Sequence, residues 1–83
     1  MSKAIINRTL DCISSSLSIS RMKLLPDSKI GDFPQWDSLG HINIYFALQK
    51  EFDVHIPLTL AGNVKSVDDW ARIIEKIINF ENE

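Results

Sequence analysis

The chain of 83 residues is short of most features that mark a small protein with chemistry of its own. Its single cysteine provides neither an internal disulfide nor a cysteine-built zinc site. Three scattered glycines cannot build a loop that cradles phosphate. Nine Lys and Arg against eleven Asp and Glu leave a net charge of −2, so nucleic acid is not an expected partner. No apolar run approaches the roughly 18 residues of a membrane span, and no membrane insertion is expected. The opening Met1-Ser2-Lys3-Ala4-Ile5-Ile6-Asn7 turns polar too early for a secretory signal, which makes a cytoplasmic location the expectation. His41 and His55 stand in no metal-ligand spacing, so no metal site is expected. What is present is 45% apolar and 24% charged sequence, ordinary for one globular domain over residues 1–83, expected as a monomer.

The apolar spacing is that of helices. Ile6, Leu10, Ile13 and Leu17 form one stripe over residues 3–17, with Asn7, Arg8, Asp11 and Ser14 turned away and a Ser-rich end that should fray. Residues 18–37 have no period and carry Pro26, Gly31 and Pro34, so a long loop is expected, pinned to the core by Leu24, Leu25, Ile30 and Phe33. Asp37-Ser38 then opens a helix over 38–52, since either side chain can accept a free backbone N–H there. Ile42, Tyr45, Leu48 and Phe52 make its expected core face, with Ile44 at the margin. Leu39, Asn43, Phe46 and Lys50 fall opposite, placing two large apolar side chains toward water. A short helix over 58–61 follows Pro57, and Ser66-Val67-Asp68-Asp69 starts a last helix over 66–80 with Val67, Trp70, Ile74 and Ile77 inward. The expected fold is all-α, a small four-helix bundle of three main helices and one short one.

Few side chains in this pattern could do catalysis. Ser38 and His41 could touch across a helix turn, but a triad also needs an oxyanion site and a substrate pocket that a bundle of this size rarely holds. Cys12 lies beside the first core stripe and reads as a small packed hydrophobe. The chain is not expected to be an enzyme. Ser38 stands apart because a helix N-terminus favours an anion, and a phosphodiester on its oxygen would gain about 0.3–1 kcal/mol there. The plainer alternative is that Ser38 or Asp37 serves only as the helix cap.

Asp37-Ser38-Leu39 after a long loop, opening the second helix of a helical domain of this size, resembles the acyl carrier protein family, in which the serine of that motif carries 4′-phosphopantetheine. The likeness extends to Trp36-Asp37-Ser38-Leu39-Gly40-His41, to Phe52-Asp53-Val54-His55-Ile56-Pro57 and to the stretch from Val64, covering about residues 3–80. It implies a covalent phosphopantetheine arm on Ser38, with Asp37 as its motif neighbour. It implies three kinds of partner: a phosphopantetheinyl transferase drawing on coenzyme A, an enzyme that loads an acyl or aminoacyl group as a thioester, and an acyltransferase or synthase that accepts it. The cofactor would hold the chemistry and the chain would present it. Leu39, Asn43, Phe46 and Lys50 would form the docking face, unless Phe46 folds back under the loop beside Phe33 and Ile30.

The chain departs from fatty-acid-type carriers, which place acids along helix two. Gly40 and Asn43 follow the motif here, and Gln49-Lys50-Glu51 ends the helix. The implied function is therefore a carrier of a specialised biosynthetic pathway. Gly40 costs a helix about 0.8–1 kcal/mol against Ala and is expected to admit a partner or the arm close to the backbone. His41 reads as a surface histidine or as a sensor of the attached group. The rival expectation is a cofactor-free helical interaction domain in which Ser38 only caps its helix.

Overall fold

The computed structural model describes residues 3–81, so the outermost residues of the 1–83 domain, Met1 and Ser2 among them, lie outside it. Four helices follow one another as α1 (Lys3–Leu17), α2 (Ser38–Phe52), α3 (Leu58–Ala61) and α4 (Val67–Glu81). The segment between α1 and α2 carries one 3₁₀ turn, Arg21–Lys23. Among the described residues, no helix is long and apolar enough to cross a membrane.

Each of the first two helices ends on a residue with left-handed backbone. Ser18 (φ 56°) closes α1, where the Ile19 N–H donates back to the Ser14 carbonyl; Asp53 (φ 52°) closes α2, where the Val54 N–H donates to Gln49. These pairings satisfy carbonyls that the last turn would leave free, and the Ser-rich end of α1 is helical to Leu17. Ser14 takes part with its side chain as well, donating to the Ile19 carbonyl, and is half-buried where the pattern turns it to solvent. At the start of α4 the Asp69 N–H donates to Ser66 Oγ (3.1 Å), while the Asp69 carboxylate accepts from the Ser66 (3.2 Å) and Lys65 (3.0 Å) N–H groups. That is a reciprocal cap.

α1 packs against both α2 and α4. Leu10, Ile13 and Leu17 meet Ile44, Leu48, Phe52, Trp70 and Ile74 in one core. Two expectations for the core are corrected. The buried stripe of α2 is Gly40, Ile44, Leu48 and Phe52, a strict repeat of four, so Ile44 is fully enclosed and Ile42 is 52% exposed. Within the loop, Leu24 is buried but Leu25 is 57% exposed, because its backbone N–H is held by Ser28 Oγ in a turn that leaves its side chain outside. Ile19 and Trp36 replace it as pins, while Ile30 and Phe33 pack at the core margin.

The loop is fixed to the start of α4 by backbone bonds. The Ile30 N–H donates to Lys65, the Val67 N–H to Ser28 and the Asp68 N–H to Pro26, at 2.9–3.0 Å.

Candidate functional site

The turn at Asp37 shows how the candidate serine is presented. Asp37 is extended (φ −100°, ψ −166°), and its Oδ1 accepts from the Gly40 N–H at 2.8 Å. Asp37 is therefore the cap, and the alternative of Ser38 as cap is corrected. Ser38 is the first helical residue and is exposed, and among the described residues its hydroxyl makes no hydrogen bond. The N–H groups of Ser38 and Leu39 open the helix and have no carbonyl partner inside it. The Ser38 oxygen thus stands in solvent at the positive end of a fifteen-residue helix.

Three contacts hold this turn in place. Gly40 is buried under the segment before the cap, where a Cβ would overlap the Gln35 carbonyl oxygen and press on Leu17 Cδ2 at 3.1 Å. The close approach expected at Gly40 is thus made by the chain's own loop. The fully buried Trp36 gives its indole N–H to His41 Nδ1 at 2.9 Å. With Nδ1 accepting, Nε2 bears the ring proton and donates to the Val64 carbonyl at 3.1 Å. The ring also lies against Trp70, with centroids 5.2 Å apart.

His41 is therefore a half-buried bridge and neither a surface histidine nor a sensor placed at the serine. Burial lowers its pKa, against the Val64 hydrogen bond, which raises it. The sequence carries a signal for this bridge in a tryptophan directly before the motif, with a histidine five residues on.

Of the other predicted residues, Leu39 (66% exposed), Asn43, Phe46 (62% exposed) and Lys50 all face solvent along α2. Phe46 is not folded under the loop; its ring meets Tyr45 edge-on at 5.3 Å. Ile42 and Leu58 of α3 extend this apolar surface, and neither α2 before Glu51 nor α3 carries an acid. Glu51 itself is engaged by Arg8 of α1 at 2.9 Å, and that guanidinium lies 4.3 Å from the Phe52 ring centroid.

One helical turn from Ser38, Ile42, Tyr45, Leu58, Ala61 and Trp70 line an apolar cavity of about 170 Å³, with the His41 ring at its wall. Tyr45 keeps its hydroxyl out of this cavity's chemistry by donating to the Ile56 carbonyl at 2.6 Å. Cys12 is half-buried between α1 and α2, and its thiol pKa is raised, chiefly by burial and then by Glu51. That disfavours the thiolate a nucleophile needs. No group of three or more His, Cys, Asp or Glu side chains among the described residues is arranged to hold a metal ion. No protein-family model matches the chain.

Proposed function

We propose that this chain is a carrier protein of the acyl carrier kind, modified on Ser38 by 4′-phosphopantetheine. The observation that carries the reading is the division of work at the motif. Asp37 takes the capping bond, Gly40 takes the loop contact, and Ser38 keeps an exposed hydroxyl with no partner among the described residues. A hydroxyl in that position is open to a transferase, and a phosphodiester formed on it meets the unpaired N–H groups of the first turn. When attached, the arm supplies a thiol that holds an acyl or aminoacyl group as a thioester.

The chain's own residues present and dock. Leu39, Phe46, Ile42 and Leu58 offer apolar anchors beside the serine, with Asn43 and Lys50 along the same helix. Charge steering toward a basic enzyme surface would be weak, because α2 has no acid before Glu51 and α3 has none. This supports a carrier dedicated to a specialised pathway over the housekeeping carrier of fatty-acid synthesis.

The competing reading is a cofactor-free interaction domain that uses the same apolar face; the exposure of Leu39 and Phe46 favours it equally. Intact mass separates the two. Incubation with coenzyme A, Mg²⁺ and a broad-specificity phosphopantetheinyl transferase should add one phosphopantetheinyl unit to the wild type and none to Ser38→Ala. A folded chain that gains nothing from that transferase or from a cognate one is the interaction domain.

A further inference from the structure

One ring ties the turn before Ser38 to the rest of the bundle through both of its nitrogens. The backbone of Trp36 is tied to the loop on both sides, its N–H donating to Phe33 (3.0 Å) and its carbonyl accepting from Gly31 (2.8 Å). The far end of its indole has one polar partner, His41 Nδ1. The other ring nitrogen of His41 reaches across to Val64, which leads into α4. The ring therefore joins the loop, α2 and the approach to α4 at the level of the serine. Each bond also needs a particular protonation state: Nδ1 must be bare to accept the indole N–H, and Nε2 must carry hydrogen to donate. The neutral Nε2–H tautomer meets both demands and the imidazolium meets only one, because a proton on Nδ1 would face the indole proton donor to donor.

We infer that His41 is the positioning residue for the Ser38 segment, holding Trp36 through bare Nδ1, and that protonating Nδ1 releases the turn from which Ser38 is presented. The surroundings make the ring the group that decides. Trp36 from the loop and Trp70 from α4 do not titrate. Tyr45 on α2 has its hydroxyl bonded to Ile56. The charged residues of the flanking segments are Lys29 and Asp32 in the loop, Asp37 at the cap and Lys65, Asp68 and Asp69 at the start of α4; the Asp32, Asp37 and Asp69 carboxylates each accept from backbone N–H groups of their own turns. The functional consequence, pH-dependent presentation of Ser38, rests on the carrier reading; the coupling of His41 to Trp36 does not.

The test compares wild type with His41→Gln, whose amide can accept and donate but does not titrate, and with His41→Phe, which keeps a ring and loses the acceptor. The readout is hydrogen exchange of the Trp36 indole N–H by NMR, as the wild-type rate divided by the Gln-variant rate at the same pH. This ratio should be near one at about pH 8 and rise about tenfold as pH falls through the His41 ring's own NMR titration midpoint, as expected for losing one hydrogen bond. The Phe variant should exchange fast at both. A flat ratio across that midpoint, or a Phe variant as well protected as wild type at about pH 8, overturns the inference. Should a variant lack a helical circular dichroism spectrum, the wild type decides alone: its Trp36 indole resonance must titrate with the midpoint of the His41 ring, and an indole indifferent to that midpoint overturns it. Loading by the transferase adds the functional arm, with the wild-type rate relative to Gln falling as pH falls. A chain that is never loaded, but whose indole follows the ring, removes the carrier reading and keeps this one. A chain that is loaded with a flat exchange ratio does the reverse.

Discussion

Replacing Ser38 by Ala removes a hydroxyl that bonds nothing in the described chain, so unfolding in urea should shift by less than about 0.5 kcal/mol. Its neighbour should behave otherwise: Asp37→Ala strips the acceptor from the Gly40 N–H and should cost about 1 kcal/mol, the usual loss for an N-cap. An equal loss in both variants would mean that the two side chains share the cap. Gly40→Ala tests the turn from its other side. Helix propensity alone favours the Ala by about 1 kcal/mol, but the new methyl meets the Gln35 carbonyl, and overpacking of about 1–3 kcal/mol should make the variant less stable. The dipeptide Asp37-Ser38 shows where sequence stops at this scale. Both residue types cap helices, and the choice between them depends on which one has the extended backbone, a property of the preceding loop and of Gln35 lying on Gly40.

Among the elements, α2 was the hardest to read. In α1 the apolar residues form one stripe, and the helix buries Leu10, Ile13 and Leu17 as its spacing predicts, with Ile6 partly buried at the margin. α2 has Leu39, Ile42, Ile44, Tyr45, Phe46 and Leu48 spread around its circumference, so periodicity alone leaves several faces eligible for the core. Packing against α1 selects Ile44 and Leu48 and leaves Ile42 and Phe46 outside. The two kinds of position should part under mutation. Ile44→Ala opens a cavity in the core and should cost about 2–5 kcal/mol, whereas Phe46→Ala should leave thermal unfolding within about 0.5 kcal/mol of wild type. If the face docks enzymes, Phe46→Ala should also slow turnover of the loaded chain by its partner while loading by the transferase changes less. A large stability loss at Phe46 would return that ring to a structural role. The exposure of Leu39, Asn43, Phe46 and Lys50 follows once Leu48 is taken as core, since all four lie opposite it on the helix.

At the scale of the whole molecule, stability on the acid side of neutrality should depend on pH through two groups. The pKa of His41 is lowered from an ordinary 6.5 by burial, so the unfolded chain takes up a proton before the folded one does. Its contribution is complete above about pH 6.5 and is lost as pH falls through the lower folded value. Burial pushes the Asp69 carboxyl upward, but the Lys65 and Ser66 hydrogen bonds more than offset it and hold the group below its ordinary 3.8. Its share is lost only in stronger acid. Urea midpoints should therefore be steady between about pH 7 and 8 and begin to fall below about pH 6.5, with His41→Gln removing that first decline and keeping the second. A wild-type midpoint unchanged down to about pH 5 would show that the ring is equally free to protonate in both states. Pairing of the loop with the start of α4 was not legible, since no local pattern in residues 26–30 announces partners at Lys65, Val67 and Asp68. That pairing has a consequence for how the protein is made. Lys65 and Val67 are synthesised after Ser38, and until they leave the ribosome the loop has nothing to close upon and His41 has no Val64 carbonyl to reach. If Ser38 is modified as proposed, by an enzyme that reads the finished turn, a fragment ending after α2 should carry the whole motif and still gain no mass.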